Sequence, residues 1–345
     1  MFQSVVGFVQ LIVGLSLRNT NLDADTGDVI QGTINPFSFM NDAAMGFGNQ
    51  MYVINLLMMI TFIAPTAFNK GNLLPILVGF LAVTFASVLH LTASWLLSLV
   101  AIFIFFNPNI FNKYLFLIVL IVCFSGWIVY YSQPDNFSLI ERYFTEYIAG
   151  ESLKIVSTYQ AVIQMPMEFP HAYFVGVGPG QFSSKAGLIG TGQYFGEFYS
   201  PTQIPFIPQK TSIPFQKYGY DLWEYTNRPD LVKWINSTMN RTFYSLLSLY
   251  TELGVIIFTI ILFQFLKLII FFRQTFVDVN TSSANKLVAI GTATNSLFVF
   301  FICFFENYLE SAQAIFVGLL LIKISYGHLK FSTLPDEKIE LIKTG

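Results

Sequence analysis

The chain has 345 residues, of which 54% are hydrophobic and 11% charged, with 38 phenylalanines. Soluble domains carry roughly a quarter charged residues, so this composition excludes an ordinary soluble fold and reads as a polytopic membrane protein. A formal net charge of -2 gives no field to attract nucleic acid. Cys123 and Cys303 fall in apolar runs and His90, His171 and His328 are scattered, so neither a disulfide nor a metal site is expected.

The expected fold is all-α, a bundle of seven or eight membrane helices with one large extracytoplasmic loop that carries amphipathic helices. Residues Phe2 to Leu17 are apolar but shorter than the ~20 residues of a comfortable crossing, so they either span as the eighth helix or lie in the interface. A polar, turn-rich loop follows to Asp42. Seven candidate spans come next, at about 44–64, 73–89, 92–106, 114–132, 253–272, 287–305 and 308–326. Lys70, Lys113, Arg273 and Lys286 occupy alternate short connections, with Lys330, Lys338 and Lys343 in the tail, and the positive-inside rule places all of them in the cytoplasm. The chain thus divides into N-terminal spans (1–132), an extracytoplasmic loop (133–252), C-terminal spans (253–327) and a cytoplasmic tail (328–345).

Within the loop, Ser138-Leu139-Ile140-Glu141 has a capping-box pattern that opens a helix with Ile140, Tyr143, Phe144, Tyr147 and Ile148 on one face, until Gly150 interrupts it. A second helix is expected to gather Ile155, Val156, Tyr159, Val162 and Ile163 on one face, with Lys154 and Thr158 off that stripe, and to end at Pro166 and Pro170. Such stripes pack on a membrane surface or on neighbouring spans. Next comes His171 to Phe182, HAYFVGVGPGQF. Its glycines at 176, 178 and 180 remove side chains at alternate positions and permit positive φ, while Pro179 fixes a bend. This is a tight turn suited to close backbone approach, and no Lys-Ser/Thr follows Gly180 to make it a P-loop. Five prolines between Pro201 and Pro229 mark an irregular stretch, after which Tyr250-Thr251-Glu252-Leu253-Gly254 runs into an apolar span.

GVGPGQF in a large loop, followed by a polar segment leading into ELGV, resembles the O-antigen ligase and polysaccharide polymerase family. Gly32-Thr33-Ile34-Asn35-Pro36 resembles the family's segment before one of its spans. The resemblance implies a bacterial inner-membrane glycosyltransferase that joins polyprenyl-diphosphate-linked oligosaccharide repeat units outside the cytoplasm. It would need no cofactor, metal or nucleotide-sugar, and its partners would be the lipid bilayer, a flippase and a chain-length regulator. Cations placed where charge develops on the departing diphosphate lower the barrier. Of the loop's basic residues, Lys154 sits where relatives usually have an Arg, Arg241 precedes the final outer helix, and Arg142 is held in reserve.

The resemblance therefore implies Arg241 and Glu252 as catalytic, Glu252 as base or acceptor-orienting group, and Lys154, Arg142, Gly176, Gly178, Gly180 and His90 as substrate-binding. Glu306 and Glu310 are further carboxylates near span ends, with a turn expected at Asn307. Trp223, Tyr225 and Trp234 could stack on sugars or belong to an interfacial aromatic belt. The chain departs from the pattern in two places. Asn240-Arg241-Thr242-Phe243-Tyr244-Ser245 lacks the His-Asn pair of the ligase branch, and Leu89-His90-Leu91-Thr92-Ala93-Ser94 offers His90 where the family has Ser-Arg. The alternatives are a ligase acting on lipid A-core and a transporter of lipid-linked glycan. A transporter would show repeated halves and broken helices, and neither is visible in the sequence.

Overall fold

A computed structural model describes residues 1–18, 30–36, 47–86, 88–106, 123–124, 126–128, 130–131, 141, 144–191, 211–227 and 242–332. Among these residues the chain is helical, without a strand. The long helices are α1 (Phe2–Arg18), α2 (Phe47–Lys70), α3 (Leu74–Ala86) and α4 (Leu89–Phe106) in the N-terminal part. Four described helical stretches are long and apolar enough to cross a membrane: Leu89–Phe106, Ser245–Val277, Ser283–Ile302 and Ala314–Ser332. The expected span 114–132 lies almost wholly outside the described residues. The chain forms two compact units. The first comprises Met1–Ser138, Lys267–Phe301 and Gln313–Gly345, and the second comprises Leu139–Leu266 and Ile302–Ala312.

In the first unit, α2 is the buried helix, with Val53, Ile54 and Leu57 fully covered. Its neighbours approach through glycines. A Cβ on Gly79 would meet Ile60, one on Gly291 would lie 3.2 Å from the Thr61 carbonyl, and one on Gly318 would strike the Met58 side chain. Small residues at such contacts allow close backbone approach where lipid removes the hydrophobic drive to associate. Side-chain hydrogen bonds add to this: Trp95 Nε1 donates to Thr61 Oγ1 at 2.7 Å, Asn49 Nδ2 to the Ala86 carbonyl at 3.0 Å and Asn295 Nδ2 to the Met58 carbonyl at 3.2 Å. Each is worth about 1 kcal/mol in a membrane setting.

The α1 helix holds the turn at 30–36 through two glutamines, and Gln3 Oε1 accepts from Thr33 N at 3.0 Å. Gln10 Oε1 accepts from the amides of Gln31 and Gly32, at 2.9 and 2.7 Å, while its Nε2 donates to the carbonyls of Gly32 and Asn35. Ser4 and Gln10 are buried and Phe2, Val5, Val9 and Ile12 are exposed, the reverse of a water-facing helix.

In the second unit, a helix opens at Leu153 (α5, Leu153–Tyr159), widens into a π turn over Gln160–Gln164 and returns to α geometry as α6 (Met165–Glu168). Of the two prolines expected to end this helix, Pro170 marks its end and Pro166 is passed within it. A proline lacks the N–H and crowds the carbonyl four residues back, and the wider π turn immediately before it relieves both demands. Lys154 lies off the Tyr159 and Ile163 stripe as expected, on the side that faces the protein. Lys154, Ser157, Ala161 and Met165 point inward, whereas Tyr159 and Ile163 are exposed. Short helices α7 (Pro170–Val175), α8 (Lys185–Ile189), α9 (Ile213–Tyr218) and α10 (Tyr220–Asn227) follow.

Their core gathers Phe182, Phe215, Phe243, Leu188, Met165 and Trp223. Phe182 meets Phe215 and Phe243 edge-on, with centroids 5.9 and 6.1 Å apart, a geometry aromatic quadrupoles favour. The long α11 (Ser245–Val277) runs from the second unit into the first, α12 (Ser283–Ile302) ends before the turn at Tyr308–Glu310, and α13 (Ala312–Ser332) closes the described chain.

Candidate functional site

The two motifs singled out by sequence meet in the second unit. α11 is interrupted at Gly254, whose φ of 73° and ψ of 170° are not helical. Such a break removes the usual partners of the carbonyls just upstream. The glycine turn supplies replacements: Val177 N donates to the Thr251 carbonyl at 2.9 Å and Gly178 N to the Glu252 carbonyl at 3.1 Å. The Glu252 side chain completes the clasp. Its Oε2 accepts from Gly180 N at 2.6 Å, and its Oε1 from Phe182 N at 3.1 Å and Ser184 N at 3.0 Å.

The glycines are required by the crossing itself. A Cβ on Gly176 would lie 2.2 Å from the Glu252 carbonyl oxygen, and one on Gly254 would lie 2.3 Å from that of Phe174. Each main chain occupies the space where the other's side chain would be. Both residues also have φ 73°, and Gly178 and Gly180 are at 101° and 69°, a region that side-chain-bearing residues adopt only under strain.

A polar network fixes the clasp to the turn after α12. Asn307, buried, donates from Nδ2 to the Ser183 carbonyl at 2.8 Å and accepts at Oδ1 from Ser248 Oγ at 3.0 Å. Ser183 Oγ donates to Ser248 Oγ at 3.0 Å, and Ser245 Oγ donates to the Glu306 carbonyl at 3.0 Å while accepting from Leu309 N. The turn expected at Asn307 is present as a buried part of this network. Sequence reasoning did not single out Asn307, Ser183 or Ser248, because isolated polar residues in an apolar chain carry no periodic or spacing signal.

The other predicted residues are placed as follows. Lys154 is 3% exposed, and its Nζ donates to the Phe305 carbonyl. It braces the turn after α12 from the side away from the Tyr159 and Ile163 stripe. Glu252 turns both carboxylate oxygens onto the loop amides, which makes it a positioning group. His90 begins α4 in the first unit, half-buried, and its carbonyl accepts from Ser94 Oγ at 2.7 Å. Arg142 and Arg241 lie outside the described residues. Trp223 is buried in the aromatic core and cannot serve as a sugar platform; the side chains of Tyr225 and Trp234 are outside the described set.

One carboxylate at the clasp remains open to a ligand. Glu310 accepts from Lys185 N at 2.5 Å, and beside it Lys185 Nζ donates to Ser311 Oγ. Its side chain is exposed by surface area, yet protein atoms crowd the carboxyl, and this desolvation raises its pKa above the usual carboxylate value. The Lys185 amide pulls the other way and the charge of Glu252 raises it further. The second unit thus sets a glycine clasp beside a carboxyl whose pKa desolvation holds above the usual carboxylate value. No protein-family model, no curated protein and no solved structure matches the chain.

Proposed function

We propose that this chain is a bacterial inner-membrane glycosyltransferase that polymerises polyprenyl-diphosphate-linked oligosaccharide repeat units, with seven or eight spans and residues 133–252 outside the cytoplasm. The observation that carries the reading is the clasp. GVGPGQF and ELGV, the two segments on which the resemblance to polysaccharide polymerases rests, lie about seventy residues apart in sequence and are locked together by five hydrogen bonds from the turn to Thr251 and Glu252.

In this mechanism Glu252 and the glycines shape the loop, and Glu310 takes the proton from the acceptor hydroxyl as it attacks the anomeric carbon. The diphosphate departs with the bonding pair, and its charge is met by loop cations, with Arg241 the leading candidate and Lys185 beside Glu310. Lys154 serves the site by holding the turn at Phe305.

The broken helix bears on the transporter alternative, whose sequence-level argument assumed unbroken spans. The freed carbonyls of Thr251 and Glu252 are taken by loop amides, so they do not stand open to coordinate an ion as in broken-helix transporters. That favours an enzyme. Purified protein in liposomes, given only the polyprenyl-diphosphate repeat unit, is expected to produce a ladder of longer lipid-linked glycans. A ladder that requires lipid A-core would point to a ligase, and substrate crossing the bilayer with no new glycosidic bond would overturn the enzyme reading.

A further inference from the structure

The helix from Leu153 to Glu168 packs on a hydrophobic core through Ala161 and Met165 and exposes Gln164 and Glu168 together with large apolar side chains. Its buried side carries Lys154, Ser157 and Ala161, and Ser157 Oγ donates to the Thr242 carbonyl at 2.7 Å. Its exposed side carries Tyr159, Ile163 and Met167, the last 79% exposed. Large apolar side chains left uncovered together on one face mark a surface for an apolar partner.

The chain that follows shows which medium it is. After α7 the exposed Phe174 and Val175, the latter 62% exposed, lie at the crossing with Gly254, where the Phe174 carbonyl fills the space of the missing Cβ. The apolar run of α11 begins there, exposing Ile256, Ile257 and Ile260. That run is the most apolar of the four candidate spans, and only 11% of its window is covered by protein. The exposed face of α7 is therefore continuous with a surface whose length and composition suit lipid. At the end of the helix polarity returns, since Glu168 accepts from Lys217 Nζ at 2.7 Å and from the Tyr218 hydroxyl.

We infer that Tyr159, Ile163, Met167, Phe174 and Val175 form a membrane-docking face, by which the helices α5 to α7 lie along the bilayer surface at the boundary between headgroups and acyl chains. The occupant is lipid, not a second protein. Interfacial helices bury their apolar side at that depth, with ion pairs at the water edge. The consequence is that the glycine clasp sits at the membrane surface, level with the headgroup of any lipid-linked substrate. The inference rests on α11 crossing the membrane and not on glycosyl transfer.

The test uses the full chain with Cys123→Ser; the buried Cys303 is retained because its thiol is covered. Single cysteines at Met167 or Val175 carry a polarity-sensitive fluorophore in phosphatidylcholine and phosphatidylglycerol liposomes. Controls at Ile260 and Asn280, on the span and in a polar turn, report lipid and water. Labels at 167 and 175 are expected to lose fluorescence to lipids bearing a nitroxide near the glycerol and to resist aqueous iodide, as only the label at 260 should do among the controls. Iodide quenching at both sites without lipid quenching would overturn the inference. So would protection from both quenchers that fades as the protein is diluted in lipid, since that would identify a second copy as the cover. Loss of glycan synthesis with the lipid quenching intact would instead fault the enzymatic reading alone.

Discussion

The two units use glycine differently. In the first, Gly79, Gly291 and Gly318 keep ordinary backbone conformations and provide room for a neighbouring helix, filled at Gly79 and Gly318 by side chains and at Gly291 by the Thr61 carbonyl, 3.2 Å from where a Cβ would stand. In the second, Gly176 and Gly254 combine positive φ with a neighbour that is main chain. A side-chain neighbour can turn aside and a carbonyl cannot. The first unit is accordingly a packed bundle that can absorb small changes, and the clasp is a fixed joint that cannot.

The strongest way to break this contrast is to place a side chain at the joint. Gly176→Ala and Gly254→Ala are each expected to destabilise the protein by roughly 3 kcal/mol or more, from strained φ and a clash with a carbonyl, and to abolish polymer formation. Gly79→Ala is expected to cost about 1 kcal/mol or less, because Ile60 can rotate away. Thermal unfolding in detergent, followed by intrinsic fluorescence, checks the difference; equal losses at positions 79 and 176 would remove the distinction.

Next in size is Glu252→Ala. It strips the acceptor from three amides, two of them on buried residues, and an unsatisfied buried donor costs about 1–3 kcal/mol. Glu252→Gln keeps an acceptor oxygen and should retain part of both stability and activity. If Glu252 were the base, Gln would be as inactive as Ala while remaining stably folded, and that pattern of kcat against melting temperature separates the two roles.

The smallest effect on stability and the sharpest on chemistry belongs to Glu310→Gln. The base must be deprotonated to accept a proton. Because desolvation raises the pKa of Glu310, with Glu252 adding to it, activity should fall with decreasing pH sooner than it would for an ordinary glutamate. In Glu310→Gln the rate should be low and this acid limb absent. A variant of normal rate and unchanged pH profile would remove Glu310 from the mechanism.

The membrane class, the helices and both motifs were legible because they rest on composition, on span-length apolar runs and on glycines, whose missing side chains mark where chains cross. The facing of the Leu153–Glu168 helix was not. Period sorting set Lys154 apart from the stripe containing Tyr159 and Ile163, but period alone does not say whether such a stripe meets the membrane surface or a neighbouring span. The burial of Lys154 was not legible either: a lysine is expected at a surface, and here it faces the protein. Asn307 reaches Ser183 across 124 residues of sequence and Ser248 across 59, and nothing along the chain predicts such pairings.

The reciprocal crossing at Gly176 and Gly254 also limits how the protein can be repaired. When a bulky residue obstructs a side chain, trimming that side chain at a second position restores the fit. Here each obstruction would be a peptide oxygen, which every amino acid carries, so no replacement at Glu252 or Phe174 can make space. A selection for revertants of Gly176→Ala or Gly254→Ala should therefore return the original glycine or changes at a distance that shift a whole segment, and suppressors at the opposing position should be missing.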